Sequence, residues 1–434
     1  MKRRMWLAVS LLVLLWTTPA MADSRLIVRS PLGSGALQLI CLLQGCNVVG
    51  AIDGTLNQVF LLTAPVSVNL TFLQNLLRAT PGILDVEIDQ VMRIVGGQNI
   101  ATNSPPELTD RAPTNYFGTA VWNGYASQPA STIVHAQDAH NTFHVSGTGI
   151  VADIDTGVDP NHPALRSVLL QGYDFTRNQL GGSEMTDFTS AAPPPCPNCQ
   201  PAIVNQSTAA VLDQSTAAVL DANPQYAAFG HGTMVMGVIH LVAPKAQLLP
   251  LKAFHSDGTG YLSDILRAIY YAVQNNAKVI NMSFDFKANS RELTSALDYA
   301  NQNNVICVSS AGNDGKNETV YPAALRDDVM GVGSTSDLDT RSTFSNYGNQ
   351  VVWVAAPGEG IVTTYPFSTY AAGWGTSFSA PFVSGGAALL RNLRSDLNQS
   401  SASSAVAHAQ FVGDEMGNGR LDLLMALAAL PGAN

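Results

Sequence analysis

A chain of 434 residues is longer than one ordinary core, which sets an expectation of two or three units. With 46% apolar and 12% charged residues, its composition is that of an ordered globular protein and excludes a largely disordered chain. A net charge of −10 gives no attraction to phosphate, which argues against nucleic acid and anionic membrane surfaces as partners.

The N-terminus reads as a signal for export over residues 1–22. Lys2, Arg3 and Arg4 are followed by the apolar run Met5 to Trp16, and Ala20-Met21-Ala22 makes Asp23 the expected new N-terminus. The apolar run is short for a bilayer span and is broken by Thr17, Thr18 and Pro19, so no stable membrane anchor is expected. Export permits disulfides. Of the five cysteines, Cys41 and Cys46 are left without a pairing, Cys196 and Cys199 read as a local loop staple, and Cys307 reads as a buried thiol.

Residues 23–96 read as a first unit of β-α-β-β-α-β order. Its strands are Arg25–Arg29, Val48–Ala51, Gln58–Leu62 and Ile83–Ile94. Its helices are an apolar run at Ala36–Leu43 and an amphipathic stretch opened by Asn69. Residues 97–115 are polar and aperiodic, a linker with a processing site. From residue 116 to 434 strands and helices alternate. Strands are expected at Ile150–Asp155, Gln247–Ala253, Val279–Phe284 and Val305–Ser309, and helices at His231–Leu241, Leu262–Gln274 and Arg291–Gln302. That pattern predicts an α/β sandwich with a mostly parallel central sheet. Residues 177–226 interrupt it as a surface insertion. It contains the octapeptide QSTAAVLD twice in tandem, at Gln206–Asp213 and Gln214–Asp221, whose purpose the sequence does not give.

Three residues at the ends of elements carry chemistry. Asp155 ends a strand before Thr156-Gly157, His231 starts a helix, and Ser377 follows Gly375-Thr376, with Pro381 suited to a first helical turn. A serine hydroxyl needs a base to take its proton, and the imidazole needs a carboxylate to fix its tautomer. Asn313, after Ala311-Gly312, supplies an amide to help the Ser377 N–H hold an oxyanion. Taken singly, each of these residues has a plain structural reading as well, as a cap, a turn or a packing group.

Together, VADIDTGVDPNHPAL (Val151–Leu165), GHGTMVMGVI (Gly230–Ile239) and GTSFSAPFVSG (Gly375–Gly385) resemble the three motifs of the subtilisin family, in its Asp…His…Ser order. VINMSF (Val279–Phe284) and SSAGND (Ser309–Asp314) resemble its substrate-strand and oxyanion segments. The resemblance implies a secreted serine endopeptidase with Asp155, His231 and Ser377 as triad and Asn313 with Ser377 as oxyanion hole. It implies protein or peptide substrates, a monomeric state, and a ferredoxin-like α+β pro-domain that inhibits the enzyme until removed by cleavage between Ile94 and Tyr125. It also assigns substrate contacts to Ser283, Phe284, Asp285, Ala311, Gly312 and Val320. No cofactor is required for the chemistry, and structural calcium has no residue-by-residue match. The rival readings are a subtilisin-shaped binding protein and an esterase using the same triad, but the four reacting residues are kept and no G-x-S-x-G elbow is found.

Two departures from the family carry expectations. Phe284-Asp285-Phe286 stands where the family has glycines, so the phenylalanines should narrow the subsites. Val320 stands where subtilisin has glycine at the floor of the S1 pocket, which predicts small or medium apolar residues at P1. Asp153 shares a strand face with Asp155, so one of the two carboxyls should be raised in pKa.

Overall fold

The structure, a computed structural model, describes residues 24–94, 104–188 and 224–432, together with the short strands Ala202–Val204 and Ala209–Val211. The expected signal segment, the Cys196/Cys199 pair and most of the duplicated octapeptide lie outside the described residues. The chain divides into two compact units, one of residues up to Ala51 with Gln58–Ile88, the other of Ile52–Asn57 with Asp89–Asn434.

The smaller unit has the expected β-α-β-β-α-β order. Its four strands are antiparallel, in the order Asn47–Ala51, Val59–Ala64, Ser24–Arg29, Asp85–Ile88. Alternation sends Leu26 and Val28, Phe60 and Leu62 to one face, where Leu37, Leu73 and Leu77 of the two helices cover them. Asn69 caps the second helix, its Oδ1 accepting from the Phe72 N–H at 2.9 Å. Cys41 and Cys46 form a disulfide at the end of the first helix. The expected last strand is two. Asp85–Ile88 stays in this sheet, whereas Val91–Arg93 pairs with Thr259–Tyr261 within the larger unit.

The larger unit is built on an eight-stranded sheet. Its order is Gln179–Leu180, Tyr173–Asp174, Gln247–Lys252, Ile150–Asp155, Ala277–Met282, Ile306–Ser310, Met330–Thr335, Val354–Pro357. All neighbours are parallel except the first two. Strands such as Ile150–Asp155 are apolar along most of their length because both faces are buried. The helices His231–Val242 and Thr376–Leu393 share a core, in which Val235, Val238, Val383 and Ala387 are fully buried. Leu262–Gln274 and Arg291–Gln302 have the spans the sequence predicts.

Two expectations are corrected. Residues after 104 are not a bare linker: Pro106–Thr109 forms a 3-10 turn with Leu108 buried, and Pro113–Tyr116 pairs with Thr119–Trp122. The presumed insertion is only in part a surface excursion: Arg177, Asn178, Gln179 and Leu180 are exposed, but Glu184 and Asp187 are buried. Arg177 pairs with Asp174 and Asp187, and Asp187 also holds the fully buried Lys252 at 2.7 Å. A charge inside the sheet recruits its counter-ions from the nearest loop, and that need orders the segment to Phe188.

Candidate active site

Each functional side chain sits where an element begins or stops. Asp155 is the last residue of its strand, and the following turn requires Gly157: φ is 103°, and a Cβ there would lie 2.7 Å from the Gly182 carbonyl oxygen. His231 is the first residue of its helix. Its Nδ1 meets Asp155 Oδ1 and Oδ2 at 2.8 and 2.9 Å, with the two side chains 3% and 1% exposed. Nδ1–H therefore donates, leaving Nε2 as the basic nitrogen, buried and without a partner. Burial disfavours the imidazolium, but the charge and hydrogen bonds of Asp155, aided by Glu184, prevail and raise the His231 pKa.

Ser377 is the second residue of the helix Thr376–Leu393. Its hydroxyl donates to the Ser283 carbonyl at 3.1 Å, while Ser283 Oγ donates to the Ser377 carbonyl at 2.9 Å. That carbonyl is open because Pro381, four residues on, has no N–H to bond it. Pro381 thus lies inside the helix rather than in its first turn. Phe378, next after the serine, places its ring 5.9 Å from that of His231. Asn313 Oδ1 accepts from the backbone N–H of Thr376 at 2.8 Å and its hydroxyl at 3.0 Å, which fixes the amide and leaves Nδ2 as the donor.

Beneath these groups lies a polar ladder. Asp153 Oδ1 accepts from Asn281 Nδ2 at 2.9 Å, the same Nδ2 donates to Ser283 Oγ at 2.9 Å, and Asn281 Oδ1 accepts from Ser384 Oγ at 2.7 Å. Burial first, then the Asp155 charge, pushes the Asp153 carboxyl far up, as expected for two carboxyls on one strand face. Sequence reasoning missed Glu184. Fully buried, it accepts from Thr156 Oγ1 at 3.0 Å, from the Gly230 N–H at 2.8 Å and from Thr233 Oγ1, so it ties the turn after Asp155 to the start of the His231 helix. Burial lifts its carboxyl to about 7.

The expected substrate contacts divide. Phe284 is 2% exposed and packs on Phe254 and Phe286, so both phenylalanine rings turn into the core and do not narrow a cleft. Val320 is fully buried in a cluster with Ala311, Ala323, Val351 and Val352. Asp285 alone turns toward Gly312. Among the described residues no group of three or more His, Cys, Asp or Glu side chains is placed to hold a metal ion.

The sequence pattern of the subtilase family, Peptidase_S8, matches residues 147–422. A thermophilic serine proteinase of Bacillus sp. (strain AK1) is 33% identical over 297 residues, 67% of this chain and 65% of that protein. Thermitase of Thermoactinomyces vulgaris is 34% identical over 261 residues, 59% of this chain and 79% of its own length. A solved cold adapted subtilisin-like serine proteinase aligns with a TM-score of 0.51 at 26% identity, covering 64% of this chain and 90% of that one. Fold and relatives together make the class that of the serine endopeptidases. The chain belongs to the subtilase family.

Proposed function

We propose that the chain is an exported precursor that removes its own N-terminal unit and then cuts peptide bonds through an acyl-enzyme. The observation that carries this reading is the buried Asp155–His231 pair, with a bare Nε2 beside the helix whose second residue is Ser377. In the mechanism, the Ser377 hydroxyl leaves the Ser283 carbonyl, gives its proton to His231 Nε2 and attacks the scissile carbonyl carbon. Asn313 Nδ2 and the Ser377 N–H receive the oxyanion. The imidazolium, stabilised by Asp155, then protonates the leaving amine, and water releases the acyl group by the same base.

The zymogen part is supported by Val91–Arg93, which adds antiparallel to Thr259–Tyr261, and by the Ile94 N–H, which donates to the Gly258 carbonyl at 2.9 Å. Strand addition is how a peptide binds a sheet edge. The added strand runs toward Gly258. Because the chain is again packed from Leu108 onward, the cut is expected within residues 95–104.

Purified precursor and its Ser377→Ala variant, followed on a gel with N-terminal sequencing, test this. The native chain should mature and hydrolyse casein. The variant should stay full-length, with kcat lower by about 10⁶-fold, as for loss of the serine in subtilisin. Equal maturation of both, with no other protease present, overturns the reading.

A further inference from the structure

The chain from Ser283 to Phe286 alternates in direction. Phe284 and Phe286 face the core, and Asp285 faces the other way, toward Ala311–Asn313. Phe286 and Tyr321 exchange both backbone hydrogen bonds, at 2.9 and 2.8 Å, which ties down the far end of the first segment. At the near end stand Ser377, bonded to Ser283, and Asn313, bonded to Thr376. On the serine-peptidase reading, a substrate side chain just before the scissile bond would lie against these residues.

Those surroundings are polar. Gly312 has φ 94°, and a Cβ built on it would lie 3.0 Å from Asp285 Oδ2 and 2.4 Å from Asn346 Nδ2. The Asp285 carboxylate and the Asn346 amide thus both pack against Gly312, an approach that any side chain at 312 would block. Asn346 is fully buried, and its Oδ1 accepts from the Lys316 N–H at 3.0 Å, which fixes the amide; its Nδ2 has no partner. Asp314 and Glu318 stand close by, held at 3.1 and 3.3 Å by the exposed ammonium of Lys287. Three carboxylates face one cation.

We propose that this site selects a basic P1 side chain, lysine or arginine, with Asp285 as the specificity-determining residue. The proposal rests on the serine-peptidase reading above and replaces the apolar preference expected from Val320, whose side chain is packed elsewhere. An ionised carboxylate has lone pairs enough to accept from Asn346 Nδ2 and from a substrate N–H together. Burial, with the nearby Asp314 and Glu318, lifts the Asp285 carboxyl to about 7, so the preference for a cation should strengthen as pH rises through that value.

The test uses the matured enzyme, its Asp285→Asn variant, and tetrapeptide amides that differ only at P1, as Lys, Arg, Gln, Leu or Phe. Lysine or arginine should exceed leucine in kcat/KM by about tenfold or more, the scale of one charge-assisted hydrogen bond. Asp285→Asn should cut that ratio by about tenfold. In the native enzyme the Lys-to-Leu ratio should rise between pH 6 and 8.5, a comparison in which the shared His231 titration cancels. Fastest cleavage after Leu, Phe or Gln, with casein still hydrolysed, overturns the proposal, as does a ratio unmoved by pH. If casein is not hydrolysed at all, the peptidase reading itself fails.

Discussion

Two regions of the larger unit handle buried polar atoms in opposite ways. Around Asp155 and His231, Glu184 accepts three hydrogen bonds and both oxygens of Asp155 meet the imidazole. Around Gly312, the Asn346 amide has no acceptor and Asp285 stands among like charges. Reacting groups must hold one geometry through every turnover, since a displacement of about 1 Å costs about a hundredfold in rate. A network saturated apart from Asp153 Oδ2 and from His231 Nε2, which is left bare for the serine proton, provides that. A recognition site gains by leaving groups unsatisfied, because the ligand that satisfies them recovers about 1–3 kcal/mol for each.

The sharpest way to break this contrast is to damage the saturated region. Asp155→Asn should lower kcat by about 10⁴-fold with the fold intact, because the amide imposes the wrong tautomer on His231. Asn313→Ala should lower kcat by about 10²- to 10³-fold with KM little changed. An effect of either change on KM alone, measured on one peptide substrate, would move that residue from the reacting group to the recognition group.

A second test concerns the stability of the saturated region. The folded pKa of Glu184, about 7, lies above the ordinary glutamate value of 4.5. A carboxyl raised in this way contributes stability that is complete below about 4.5 and is lost as pH rises through about 7, on the order of 3 kcal/mol in all. Glu184→Gln should therefore gain Tm relative to the native protein between pH 5 and 8, since its oxygen can keep the Thr156 and Gly230 bonds while the Thr233 hydroxyl turns. A Tm difference that stays flat across that range sinks the assignment.

The smallest expected effect is at Asp153. Its carboxyl is pushed toward the neutral form, and its Oδ1 accepts from Asn281, so Asp153→Asn should leave kcat/KM within about threefold. A loss of about a hundredfold would mean that a second negative charge beneath Asp155 is required.

Much of the site was legible because its motifs are short strings at element ends. Asp155, His231, Asn313 and Ser377 each announce a turn or a cap, and periodicity gave Leu262–Gln274 and Arg291–Gln302 in full. Glu184 was not legible. It lies in a loop read as an insertion, and only the three-dimensional meeting of Thr156, Gly230 and Thr233 gives it a role. The direction of Asp285 did have a signal, the alternation Phe-Asp-Phe, which places the aspartate opposite two core-seeking rings. Asn346 had none, because its significance depends on an approach to Gly312 across 34 residues of chain (346 − 312).

The resting bond from Ser377 to the Ser283 carbonyl has one more consequence. That carbonyl belongs to the segment along which a peptide backbone would pair, and a bound peptide N–H would compete for it. Occupancy by a true substrate thus evicts the hydroxyl toward His231, so docking and arming become a single event. Small electrophiles that carry no backbone N–H meet a holstered nucleophile, and should inactivate the enzyme more slowly than peptidyl reagents bearing the same warhead.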